Sequence, residues 1–129
     1  EEIPEKSEEE QAEAIEAIYR AWFSHKAIHH ITYWNLVDGT AGGDYGDFSS
    51  GENVHFGGLL RFDMSEKPSY KVLDRLINHE WTTNISNAST KNGKYGFRGF
   101  YGEYDVLIKN QRYRINLIPT KKEVIIKIS

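Results

Sequence analysis

Trp34 and Asp38 stand four residues apart at the end of an apolar run, and a glycine-rich loop follows at once. An indole is flat and apolar with one N–H, which suits stacking on a ring plus a single directed hydrogen bond. A carboxylate four residues on can orient its neighbours or accept a hydrogen bond from a hydroxyl. The loop, Gly39 to Gly58, adds Asp44, Tyr45, Asp47, Phe48, Glu52, His55 and Phe56. Connections this long are usually functional or mobile. Two further sets invite a metal reading. His25, His29 and His30 are close in sequence, but the adjacent pair would point to opposite faces of a strand, so turn and surface histidines are the plainer reading. Asp44, Asp47 and Glu52 offer oxygen ligands to calcium, yet their spacing is not that of an EF-hand. No metal and no cofactor is expected. On residue type alone, Trp34 fits a packed core better than a ligand-facing position.

Several elements must position these residues. Ser7-Glu8-Glu9-Glu10 has the form of a capping box, and three glutamates suit the first turn of a helix. Ile15, Ile18, Tyr19 and Trp22 then fall at helical offsets, predicting a helix to about Phe23 with that stripe as its packed face. Ile31 to Val37 is β-branched and aromatic, the composition of a strand buried on both faces. Gly57 to Asp63 returns to apolar character. Pro68 suits a first helical turn, and Tyr70, Leu73, Leu76, Ile77 and Trp81 supply its stripe. Thr82 to Asn92 is rich in Ser, Thr and Asn and marks a loop and a boundary. Beyond it the period becomes strand-like: Tyr104, Val106 and Ile108, a turn at Asn110, then Tyr113, Ile115 and Leu117, with Val124 to Ile128 as a further strand. An antiparallel meander of three or four strands is predicted. The order helix, buried strand, loop, helix is the repeat of a parallel α/β fold, in which chemistry sits where strands end.

Composition narrows the field. The chain has 129 residues and no Cys, so disulfides and thiolate metal sites are excluded. Its formal net charge of −3 argues against a general nucleic-acid binder. No run approaches the ~20 apolar residues of a membrane span, so neither nucleic acid nor a membrane is an expected partner. Glu1-Glu2-Ile3-Pro4 does not read as a signal peptide.

Three motifs together resemble glycoside hydrolase family 10. His25-Lys26-Ala27-Ile28 followed by Ile31-Thr32-Tyr33-Trp34-Asn35-Leu36-Val37-Asp38-Gly39 is similar to the last barrel strand of that family. Gly58-Leu59-Leu60-Arg61-Phe62-Asp63 with Lys67-Pro68-Ser69-Tyr70 resembles its leucine-rich turn and the opening of its final helix. Phe97-Arg98-Gly99-Phe100-Tyr101-Gly102-Glu103-Tyr104 resembles the short β extension of some members. Asn35 departs from the common Gly, and the loop lacks the second tryptophan of many members.

The resemblance implies the last βα unit of a (β/α)8 barrel of the TIM type over residues 1–92, with a β-rich extension over 93–129 packed on it. It implies the C-terminal part of a retaining endo-1,4-β-xylanase-like enzyme, whose two carboxyl groups would lie about 5–5.5 Å apart. The nucleophile would fall at or just before Glu1 and the acid/base would precede the chain, leaving this piece inactive alone. Trp34, Asp38, Asn35 and Tyr45 would contact substrate. The implied partners are xylan or a related polysaccharide and the remainder of the barrel, and the parent protein would be secreted. The alternative is a non-catalytic carbohydrate-binding or structural β module with a helical adaptor.

Overall fold

Glu8, Ala12, Ile15 and Tyr19 recur at the helical period and are all buried. They form the packed stripe of helix α1, Glu5–Ser24, in a computed structural model that describes residues 5–87, 89–120 and 123–127. The helix begins before Ser7, which lies within the first turn instead of capping it. The stripe is also rotated from the predicted one: Ile18 and Trp22 are exposed. One partner helix needs only one narrow stripe, and among the described residues α1 packs on one α-helix, α2 (Pro68–Asp74).

Helix α2, Pro68–Asp74, opens on proline, whose missing N–H has no intrahelical partner to lose in the first turn. The helix packs on α1 and continues as a π-helical turn, Arg75–Glu80, and Leu73 and Leu76 are both buried. Two ion pairs tie α1 to the segments on either side of α2. Arg61 grips Glu8 with two hydrogen bonds, of 2.9 and 2.5 Å, and Arg75 reaches Glu16 at 2.7 Å. The chain divides into two units, Glu1–His79 and Glu80–Ser129.

The predicted doubly buried strand at 31–37 is not there. Residues 31–36 alternate between half-buried and exposed, and Leu36 is 56% exposed. A strand exists through its partners, and among the described residues this segment finds one only at its end. Val37 bridges Leu60 in parallel, Leu36 O accepts from the N–H groups of Leu59 and Leu60, and Lys67 N–H donates to Leu59 O. The expected barrel unit is therefore corrected: the described residues hold two helices and one small antiparallel sheet, with no βα unit of a barrel. None of the described helices is long and apolar enough to cross a membrane.

In the second unit, β1 (Gly102–Ile108) pairs with β2 (Gln111–Leu117) in the register Tyr104 to Ile115 and Val106 to Tyr113. The turn residues Lys109 and Asn110 both have positive φ, 48° and 65°, as a tight two-residue hairpin turn requires. Tyr104, Val106, Ile108, Tyr113, Ile115 and Leu117 share the half-buried face. The predicted third strand is absent among the described residues, since 124–127 carries no strand. Phe97 lies against Tyr104, with ring centroids 5.4 Å apart, and the Tyr104 hydroxyl donates to Phe100 O at 2.7 Å. The aromatic run before β1 is thus anchored on the hairpin.

Candidate functional site

Asp38 sits where the extended segment meets the loop, and it is 2% exposed. One carboxylate oxygen accepts the Gly58 N–H at 2.8 Å, and the other meets Lys67 Nζ at 2.5 Å. Lys67, 1% exposed, also donates to Phe56 O at 2.8 Å. A buried charge is tolerated only when paired and hydrogen-bonded, and here each ion satisfies the other. Gly58 is what lets the chain come so close, because a Cβ there would stand 2.5 Å from Asp38 N. This pair closes the base of the 39–58 loop.

Asn53 holds the loop's interior. It is fully buried in a short 3₁₀ helix, Gly51–His55. Its carbonyl accepts Ala41 N–H at 2.8 Å, and its amide donates to Asp47 O and Asp44 O at 3.0 and 3.2 Å. Phe48 stacks on Phe56 and meets Phe62 edge-on, with centroids 5.2 and 5.7 Å apart, and Tyr45 leans on Phe62. The loop is thus a folded object with its own polar and aromatic interior.

The Asp47 carboxylate accepts from the Ser49 hydroxyl and N–H at 2.6 and 2.8 Å. Hydrogen bonds from Ser49 and Ser50 hold its pKa at about 2, against an ordinary 3.8. The folded loop prefers the ionised form. That contribution is therefore complete above pH 3.8 and fades as the pH falls towards about 2. An NMR titration of the Asp47 side-chain carboxyl carbon should give a midpoint near 2; a midpoint at 3.8 or above would contradict this.

On this frame Trp34 projects outward, 76% exposed, and its indole N–H donates to the Glu52 carboxylate at 2.7 Å. Asn35 takes a positive φ of 72° beside it and accepts from the Thr40 hydroxyl at 3.5 Å. Tyr45 is 80% exposed. Of the four residues read from sequence as contact residues, three are surface or half-buried positions, while Asp38 lies within the frame and orients what surrounds it. Trp34 is not a core residue. Lys67, Asn53 and Glu52 complete the arrangement, and no spacing in the sequence ties them to Asp38, Ala41 or Trp34.

His30 bonds Thr32 at 2.8 Å, and His25 accepts its neighbour's Ala27 N–H. Asp47 and Glu52 are engaged by Ser49 and Trp34. Among the described residues no three His, Asp or Glu gather as a metal site. Glu1, near which the nucleophile was expected, lies outside the described residues.

No family model matches the chain. Over 102 residues, 76% of its length, it is 28% identical to the anti-sigma-I factor RsgI6 of Acetivibrio thermocellus. The match spans about a tenth of that relative, 11% of its length. The likeness runs to a protein named for regulation and not to a glycoside hydrolase. The family 10 resemblance is corrected on that finding, and with it the xylanase-like activity and the polysaccharide and barrel-remainder partners. The motifs behind it are short, and the folded residues around Trp34 form no end of a barrel strand.

Proposed function

We propose that the chain is a module of a regulator of the anti-sigma-factor kind, and that it contributes binding and not catalysis. The observation that carries this reading is the likeness to RsgI6 along three quarters of the chain. The partner of the whole protein is then a sigma factor. The geometry around Trp34 supports a contact role for this module. A rigid frame, closed by Asp38–Lys67 and filled by Asn53, presents one large aromatic outward with its N–H already oriented by Glu52. Large aromatics held on rigid supports are the usual anchors of interfaces. Asn35 and Tyr45, on the same segment and loop, are further contact positions.

Trp34→Ala in the complete protein tests this. The side chain is mostly in solvent, so stability should change by no more than about 0.5 kcal/mol. Output from a promoter dependent on the partner sigma factor should rise at least threefold. Unchanged output at unchanged protein level would overturn the contact role.

A further inference from the structure

The net charge of −3 conceals a division. Residues 1–79 carry seven Lys and Arg against fifteen Asp and Glu, a balance of −8; residues 80–129 carry nine against four, a balance of +5. The second unit is therefore a basic module. Among the described residues, Lys91, Arg98, Lys109 and Lys127 meet no carboxylate within ion-pair distance. On the outward face of the hairpin Asp105 is shared by Arg114 at 3.2 Å and Arg112 at 3.8 Å, and Glu103 stands on the same face, so the two arginines are balanced there. A strong local field of one sign recruits a partner of the other.

The same unit exposes flat rings among these cations. Phe97 packs on Tyr104 and stacks with Tyr95, yet all the rings of the run are exposed, Tyr101 most of all at 69%. Arg98 lies between them in sequence and is exposed. Gly96, Gly99 and Gly102 break the run, and nothing stands within 4 Å of a Cβ at Gly96 or Gly102, so backbone there is open to a ligand. Unpaired cations beside solvent-facing rings match a polymer that alternates negative charge with planar faces. We propose that residues 94–109 form a binding surface for single-stranded nucleic acid, with Tyr101 stacking on a base and Arg98 and Lys109 meeting phosphates. An anionic membrane fits less well, since the rings are spread along a short run and do not form one side of an amphipathic helix.

Fluorescence anisotropy of the full 129-residue chain with a labelled 15-nucleotide oligothymidine or oligouridine tests this. With two phosphates neutralised, affinity should fall about sevenfold between 50 and 200 mM salt. Tyr101→Ala should weaken binding at least fivefold and Arg98→Glu at least tenfold, with Arg98→Lys retaining most of it; circular dichroism verifies that each variant folds. No binding at 50 mM salt overturns the proposal. So does binding that survives Tyr101→Ala unchanged, and so does tighter binding to phosphatidylglycerol vesicles than to either oligonucleotide.

Discussion

Replacing Lys67 by Met will destabilise the first unit by about 3–5 kcal/mol, the loss expected when one member of a buried ion pair is removed and the other stays charged in the interior. Met retains most of the side-chain volume, so packing contributes little to the change. What is lost is the ammonium between the Asp38 carboxylate and Phe56 O, two acceptors otherwise left without their donor. Adding Asp38→Asn to the Met variant should recover at least half of the loss. The asparagine carbonyl can still accept the Gly58 N–H, and no uncompensated charge remains. Urea denaturation followed by tryptophan fluorescence measures both variants. Additive losses in the double variant would contradict the ion-pair account, because residues in direct contact should show coupling.

The second large effect belongs to Gly51. Its φ is +57°, and a Cβ built there would lie 1.3 Å from Gly42 O, inside any contact distance and against backbone. An alanine must therefore adopt a left-handed conformation, at roughly 1–2 kcal/mol, and push the Gly42–Gly43 segment aside, at roughly 1–3 kcal/mol more. That segment lies beside Ala41, whose N–H Asn53 accepts, so the disturbance passes into the polar centre of the loop. Gly51→Ala should cost about 2–5 kcal/mol and shift the Trp34 indole N–H resonance, since Glu52 is its immediate neighbour. Gly57→Ala is the matched control. Nothing lies within 4 Å of a Cβ there, and the change should be close to neutral. Equal effects at the two positions would mean that the loop is looser than its hydrogen bonds imply.

These two sites show where sequence reading succeeds and where it stops. Helix α1 was legible because Ala, Glu and apolar residues repeat at 3.6, and Pro68 marked the start of α2. The hairpin was legible because Tyr104 to Ile108 and Tyr113 to Leu117 alternate around Asn110. All of this is local. The error at 31–37 was also local: β-branched and aromatic residues show that a segment can be a strand, whereas pairing along its whole edge makes it one. Tertiary context overrides such propensity readily. The same holds for 124–127.

The candidate site was legible in part. Trp34, Asn35 and Tyr45 were singled out, and they lie on or near the surface. Asp38 was singled out for the right neighbourhood and a different task, because its partner Lys67 becomes adjacent only after the loop folds back. Asn53 drew no notice at all; an asparagine in a glycine-rich loop is ordinary until its three loop-spanning hydrogen bonds are seen. The family resemblance failed for a related reason. Short motifs in the correct order carried it, while the likeness along 76% of the chain leads to a regulator.

The most direct test of the regulatory reading is co-purification. The polypeptide that carries this chain is tagged and isolated from its own cells, and the sigma factors that remain bound are identified by mass spectrometry, with a matched reporter read alongside. The account predicts one sigma factor retained at near-stoichiometric amount, with its promoter repressed when the polypeptide is overproduced. Retention of no sigma factor, together with a reporter indifferent to the polypeptide, would contradict it.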